Sequence, residues 1–275
     1  MADVSLVAAV RRNLRLYGHL AGARARGDLQ YRASLVMFTI GTLLVTGLDF
    51  ASIAVLFTQV EALAGWSFAE VAFLYGTSGV AFGLADMAVG SVDRVGDRIR
   101  RGTFDTLLLR PAGSLLQLVT EEFALRRVGK VVQPAIVLVV AVGALGLPWT
   151  PARSALTVVM ILAGAVIAGS IWVTAASATF WTVEGREAAN AVTYGGAAMI
   201  QHPLPLYGEL VRSLAFVVPL AFVSYLPSLE VLDKADPLGV PVALRFASPL
   251  VAVASAWVAT AAWRFAVRHH RSTGS

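Results

Sequence analysis

Between Ser34 and Thr58 the chain runs for some two dozen residues with a single charged side chain, Asp49. A helix advances ~1.5 Å per residue, so a block of that length spans the ~30 Å hydrocarbon core of a bilayer. Nothing shorter than a helix or a closed barrel satisfies every backbone N–H and C=O in lipid. The pattern recurs from Phe68 to about Gly90, from about Val131 to Leu147, from about Ser154 to Val183, and from about Phe246 to Ala266. The chain is therefore expected to be an all-α integral membrane protein. Its 57% hydrophobic and 14% charged composition over 275 residues fits about six crossings and no large soluble domain.

The first 33 residues carry Arg11, Arg12, Arg15, Arg24, Arg26 and Arg32, with Val7, Val10, Leu14 and Tyr17 spaced three and four apart. That pattern predicts a basic amphipathic helix lying at the headgroups. Residues 34–275 then form one six-helix transmembrane domain with a cytoplasmic loop over 91–130. With both termini inside, 18 of the 22 Lys and Arg residues fall on the inner side, as the positive-inside rule requires. From Ala188 to Leu226 the chain stays apolar but is broken by Gly195, Gly196, Pro203, Pro205 and Pro219. Parity demands one net crossing there, so part of it must be re-entrant. The crossing lies either near Ala188 to Gln201 or near Tyr207 to Leu226.

Several kinds of chemistry find no residues to carry them. Cysteine is absent, and His19, His202, His269 and His270 form no metal-ligand spacing. The one Gly-Lys pair, Gly129-Lys130, is followed by Val131 and has no phosphate-binding loop around it. No nucleophile constellation suggests an enzyme. The arginines follow one membrane face, which argues against nucleic acid. Asp49 and Asp86 are ionisable groups inside apolar blocks and so are candidates for a pathway, the alternative being that Asp86 is hydrated near the inner interface and Asp49 faces water at the outer end. His202, Pro203 and Pro219 mark the broken segment as a gate. Gly79 and Gly83 form a GxxxG that fits packing within the chain. The six tryptophans fall mostly near span ends, where they would anchor at the interface.

In the loop, Gly102 breaks the chain, Thr103 can cap a short helix with Asp105 in its first turn, and Pro111 ends it. Phe104, Leu107 and Leu108 would form an apolar knob flanked by Arg98, Arg100, Arg101 and Arg110. Ser114 and Gln117 can make a capping box for a second helix, with a Glu122 to Arg126 pair further on. Such a knob suits a groove in a partner protein, and the arginines alone would suit anionic lipid.

The stretch Ile99 to Leu118, IRRGTFDTLLLRPAGSLLQL, resembles the segment that follows span two in permease subunits of ATP-binding-cassette (ABC) exporters of the type-2 class. The basic N-terminal helix and the proline-broken excursion from His202 to Pro227 resemble the same class. That resemblance implies that the helix after span two is a coupling helix seated in a cleft of an ATPase, with Arg100, Arg101, Gly102, Phe104, Asp105, Leu107, Leu108, Arg110 and Pro111 forming the contact. It implies two ATPase subunits, which bind the ATP and Mg, and a second permease chain, identical or homologous. The chain itself would hold no cofactor. The expected function is export of a small amphipathic, drug-like substrate through a bacterial cytoplasmic membrane, as in multidrug efflux. The alternative is a proton-coupled secondary transporter working through Asp49 and Asp86 without an ATPase.

Overall fold

The computed structural model describes residues 2–110, 113–121, 125–181 and 191–270. Among them the chain is helical throughout and contains no β-strand, only an isolated bridge between Leu63 and Trp66. In order, α1 is Ala2–Gln30, α2 Arg32–Leu56, α3 Phe68–Val89, α4 Val95–Arg100, α5 Phe104–Leu108, α6 Ser114–Glu121, α7 Gly129–Ala144 and α8 Pro151–Ala178. A π-helical turn at Ala191–Gly195 leads into α9, Gly196–Ile200; α10 is Glu209–Val217, α11 Tyr225–Val231 and α12 Ser248–Arg268.

Four helices are long and apolar enough to cross a membrane, five if the bent pair α10 and α11 makes one span. They begin and end within a few residues of the expected blocks, except that α8 stops at Ala178. Glu184 to Glu187 lie outside the described residues. The helix α7 is short, 16 residues with Pro134 inside it.

At the centre stands α3, buried from Val71 to Ser78. Its start is set by a full capping box: Ser67 N donates to Glu70 Oε2 at 2.7 Å and Glu70 N to Ser67 Oγ at 3.4 Å. One flank of α3 packs on α7, the other on α8, and α8 carries α12, while α2 rests on α7. Three glycines let α7 approach in antiparallel register. A Cβ on Gly76, Gly79 or Gly83 would stand 2.7, 2.6 and 2.6 Å from Leu138, Pro134 and Lys130. The GxxxG is thus spent on packing within the chain, as expected.

Beyond α9 the backbone breaks at Pro203 and again at Pro219. The segments 209–217 and 220–231 meet at 75°. Ser248 Oγ satisfies part of the irregular backbone there by donating to Phe222 O at 2.7 Å, and Ser224 Oγ ties the segment to α3, 3.0 Å from Thr77 Oγ1. The acidic run from Glu230 to Asp236 forms an ordered cap. Lys234 Nζ reaches Gly65 O and both oxygens of Glu70 at 2.9 Å, with Trp66 beneath it, and Asp236 accepts from Tyr225 at 2.9 Å. Replacing Lys234 with Met is expected to lower stability by about 1 kcal/mol, seen as a fall of a few degrees in the melting midpoint of detergent-solubilised protein.

The tryptophans divide. Trp66, Trp172 and Trp263 are buried in the bundle rather than at an interface, and Trp181 and Trp257 are exposed. Helix α1 is continuous as expected; Tyr17 donates its hydroxyl to Ala88 O at 3.1 Å and Ala21 is buried. Burial pushes the Tyr17 phenol up, so it remains a neutral donor.

Candidate functional site

The loop that joins α3 to α7 is folded rather than slack. A 3-10 turn, Gly90–Arg94, continues α3 into α4. The end of α4 is closed by Thr103 N donating to Arg98 O and Gly102 N donating to Ile99 O, both at 3.0 Å, with Gly102 at φ +65°. This double closure needs a left-handed residue, which glycine adopts without steric cost. The chain then reverses into α5. Thr103 precedes α5 but gives it no side-chain cap; its hydroxyl donates to Arg98 O at 3.3 Å.

The face of α5 differs from the expected one. Phe104 and Leu107 are 0% and 1% exposed, so neither projects toward a partner. The Phe104 ring stands edge-on to Phe180, Trp263 and His270, with centroids 5.1, 6.3 and 5.3 Å away. The second helix α6 supports this seat: Gln117 Nε2 donates to Leu107 O at 3.0 Å, and Trp263 Nε1 donates to Ser114 Oγ at 3.2 Å. Those two bonds occupy the side chains expected to form a capping box. His270, its side chain 6% exposed, meets Asp105 at 3.1 Å. What α5 turns outward is Leu108, 43% exposed, and Leu109, 86% exposed, flanked by exposed Arg101 and Arg110. Arg100 pairs with Asp97. Pro111 and Glu122 lie outside the described residues.

The expectation was right about a short helix here and wrong about which residues it presents. Phe104 roots it at the ends of α8 and α12 and Leu107 is buried beside α6; Leu108 and Leu109 are the apolar side chains on offer. Nothing in a five-residue helix reveals its inward face from periodicity alone. The missed residues, Phe180, Trp263 and His270, come from far along the chain; an aromatic set at two helix ends was the only signal.

The proposed pathway residues scatter. Asp86, expected to be hydrated or in a pathway, is 3% exposed and neutralised. Arg127 Nη1 donates to its carboxylate at 3.0 Å and to its carbonyl at 2.7 Å, and Lys130 Nζ lies 2.9 Å from the other carboxylate oxygen. Asp49 is exposed on α2, beyond reach of Asp86 and its cations. His202 is half-buried with Nδ1 3.2 Å from Ala198 O, Pro203 is buried, and Pro219 opens the 3-10 turn between α10 and α11. No group of three or more metal-ligating side chains occurs among the described residues.

Residues 43–274 match the family model described as ABC-2 family transporter protein. No curated protein and no solved structure matches the chain.

Proposed function

This chain belongs to the ABC-2 family of transporter membrane proteins and is a permease of that type, and from that membership we propose that it is half of an exporter whose ATP is hydrolysed on a separate partner. The observation that carries the reading is the seating of α5. Phe104 fixes it to the ends of α8 and α12 and the buried Leu107 is bonded to α6 through its carbonyl, while Leu108 and Leu109 face away from the chain. A helix fixed on one side and apolar on the other is suited to pass a partner's displacement into the bundle as a rigid body.

The working unit has two permease chains, identical or homologous, and two ATPase chains that bind ATP and Mg. Six crossings with both termini in the cytoplasm of a bacterial inner membrane suit the arginine distribution, and α1 lies along the headgroups. The segment around Ala191 to Leu206 makes the fifth crossing, and 209–231 is the re-entrant hairpin. In support, Ser224 meets Thr77, about 15 Å along α3 from its Ser67 cap, roughly half the thickness of the hydrocarbon. From that depth α11 returns toward the Lys234 and Glu70 cap at the same end of α3. The hairpin closes the outer end of a route for a small amphipathic, drug-like substrate. The proton-coupled alternative loses support, because Asp86 is held between two cations and Asp49 stands apart from it.

Purification with the products of its neighbouring genes tests the reading. An ABC ATPase is expected to co-purify with the permease. Leu108→Asp with Leu109→Asp is expected to abolish that association, weakening it by about 2 kcal/mol or more, while the permease still inserts. Unchanged association in the double variant would remove this surface from the docking role.

A further inference from the structure

The two roots of the α5 loop are joined by one carboxylate. Asp86 sits a few residues before the end of α3, and Arg127 and Lys130 bracket the start of α7. Arg127 donates to one carboxylate oxygen and to the backbone carbonyl of Asp86 at 3.0 and 2.7 Å, and the other carboxylate oxygen is held by charge alone, 2.9 Å from Lys130 Nζ without hydrogen-bond geometry. The backbone beside it leaves no room for a side chain at position 90. A Cβ on Gly90 would lie 2.2 Å from both Arg127 Nη1 and Asp86 Oδ1. Immediately below it, Gly83 brings α3 against the backbone of Lys130. The far side is covered from two other elements: the ring of Tyr194, in the π-helical turn, lies 6.0 Å from Lys130 Nζ and 6.2 Å from the ring of Trp172 on α8.

We propose that Asp86 is a positioning residue that clamps the inner ends of α3 and α7 into one body, so that displacement of the α5 loop moves both spans and the Tyr194 turn together. Removing the carboxylate leaves the cations of Arg127 and Lys130 without the shared counter-charge that joins them. Without the clamp, the loop's two ends separate and the push is absorbed locally. The consequence for transport rests on the permease reading; the clamp itself is a property of this chain alone.

The absence of cysteine makes the test direct. Cysteines introduced at Met87 and Val132 carry spin labels whose separation reports the two inner ends, first in the permease alone. The parent and Asp86→Glu should give one narrow distance distribution, and Asp86→Asn a broadened one with a second, longer component. Where Asp86→Asn fails to accumulate, Lys130→Met replaces it, because Arg127 still neutralises the carboxylate; partial broadening is expected. A distribution as narrow as the parent's in either variant overturns the clamp. In the complex with its ATPase, a single cysteine at Leu206 is reacted with a membrane-impermeant maleimide, with and without ATP and vanadate. The nucleotide-dependent change in labelling should fall about tenfold in Asp86→Asn and return in Asp86→Glu; a full response in Asp86→Asn overturns the relay. If no ATPase binds the parent, the permease reading fails while the measurement on the permease alone still decides the clamp.

Discussion

Phe104→Ala should destabilise the α5 end of this permease by about 3–4 kcal/mol, the usual loss when a fully buried aromatic ring is truncated. The ring is 0% exposed and stands edge-on to three others, Phe180, Trp263 and His270. Edge-on pairs contribute beyond the area they bury. Its removal leaves a ring-sized cavity where α5, the end of α8 and the end of α12 converge. Because this cluster is local, the expected outcome is partial: the α5 loop loosens while the packing of α3 on α7 persists. Hydrogen exchange of detergent-solubilised protein should rise over residues 95–110 and leave 71–83 protected. Binding of the ATPase should weaken although the outward leucines are untouched, because α5 no longer holds its pose. Phe104→Leu, which keeps much of the volume, should recover most of both. Equal exchange in Phe104→Ala and the parent would mean that α5 is held by something other than its aromatic seat.

This result bears on how far the sequence could be read. The four long apolar helices were legible because lipid imposes a composition: blocks such as Ser34 to Thr58 need no partner to be recognised. The loop helix was legible through Gly102 and the leucine run, yet its orientation was not. Phe104 and Leu108 lie on the same five-residue helix and look alike in sequence. One is sealed by Phe180, Trp263 and His270 and the other faces solvent, and only tertiary contacts with residues far along the chain decide between them. Asp86 was misread for a similar reason. A lone aspartate in an apolar block marks an expensive group, but its compensating cations, Arg127 and Lys130, enter from the far end of a loop. The tryptophans failed in the opposite direction. Trp66 and Trp172 sit near helix ends, where an interface would explain them, but packing buries them at 0% and 7%.

Gly83→Leu should be the most damaging change within the spans. A Cβ at Gly83 would stand 2.6 Å from Lys130 O and 2.8 Å from Val131 Cγ2. The first of these is backbone and cannot swing aside, so α7 itself must move outward. That shift withdraws Lys130 and Arg127 from Asp86, and strain in the packing is then joined by loss of compensation for a buried charge. The combined effect should be about 4 kcal/mol or more, enough to lower the melting midpoint in detergent by ten degrees or more. Gly143→Leu provides the control: it lies on α7 as well, and a Cβ there meets nothing within 4 Å. It should leave the midpoint almost unchanged. Gly76→Leu and Gly79→Leu open the same seam, where a Cβ would come within 2.7 and 2.6 Å of Leu138 and Pro134, without reaching the Asp86 cluster. Their losses should therefore be smaller than that of Gly83→Leu, by the contribution of the ion cluster. A Gly79→Leu loss as large as that of Gly83→Leu would show that close packing alone holds α3 to α7 and that the charges at its inner end add nothing to the join.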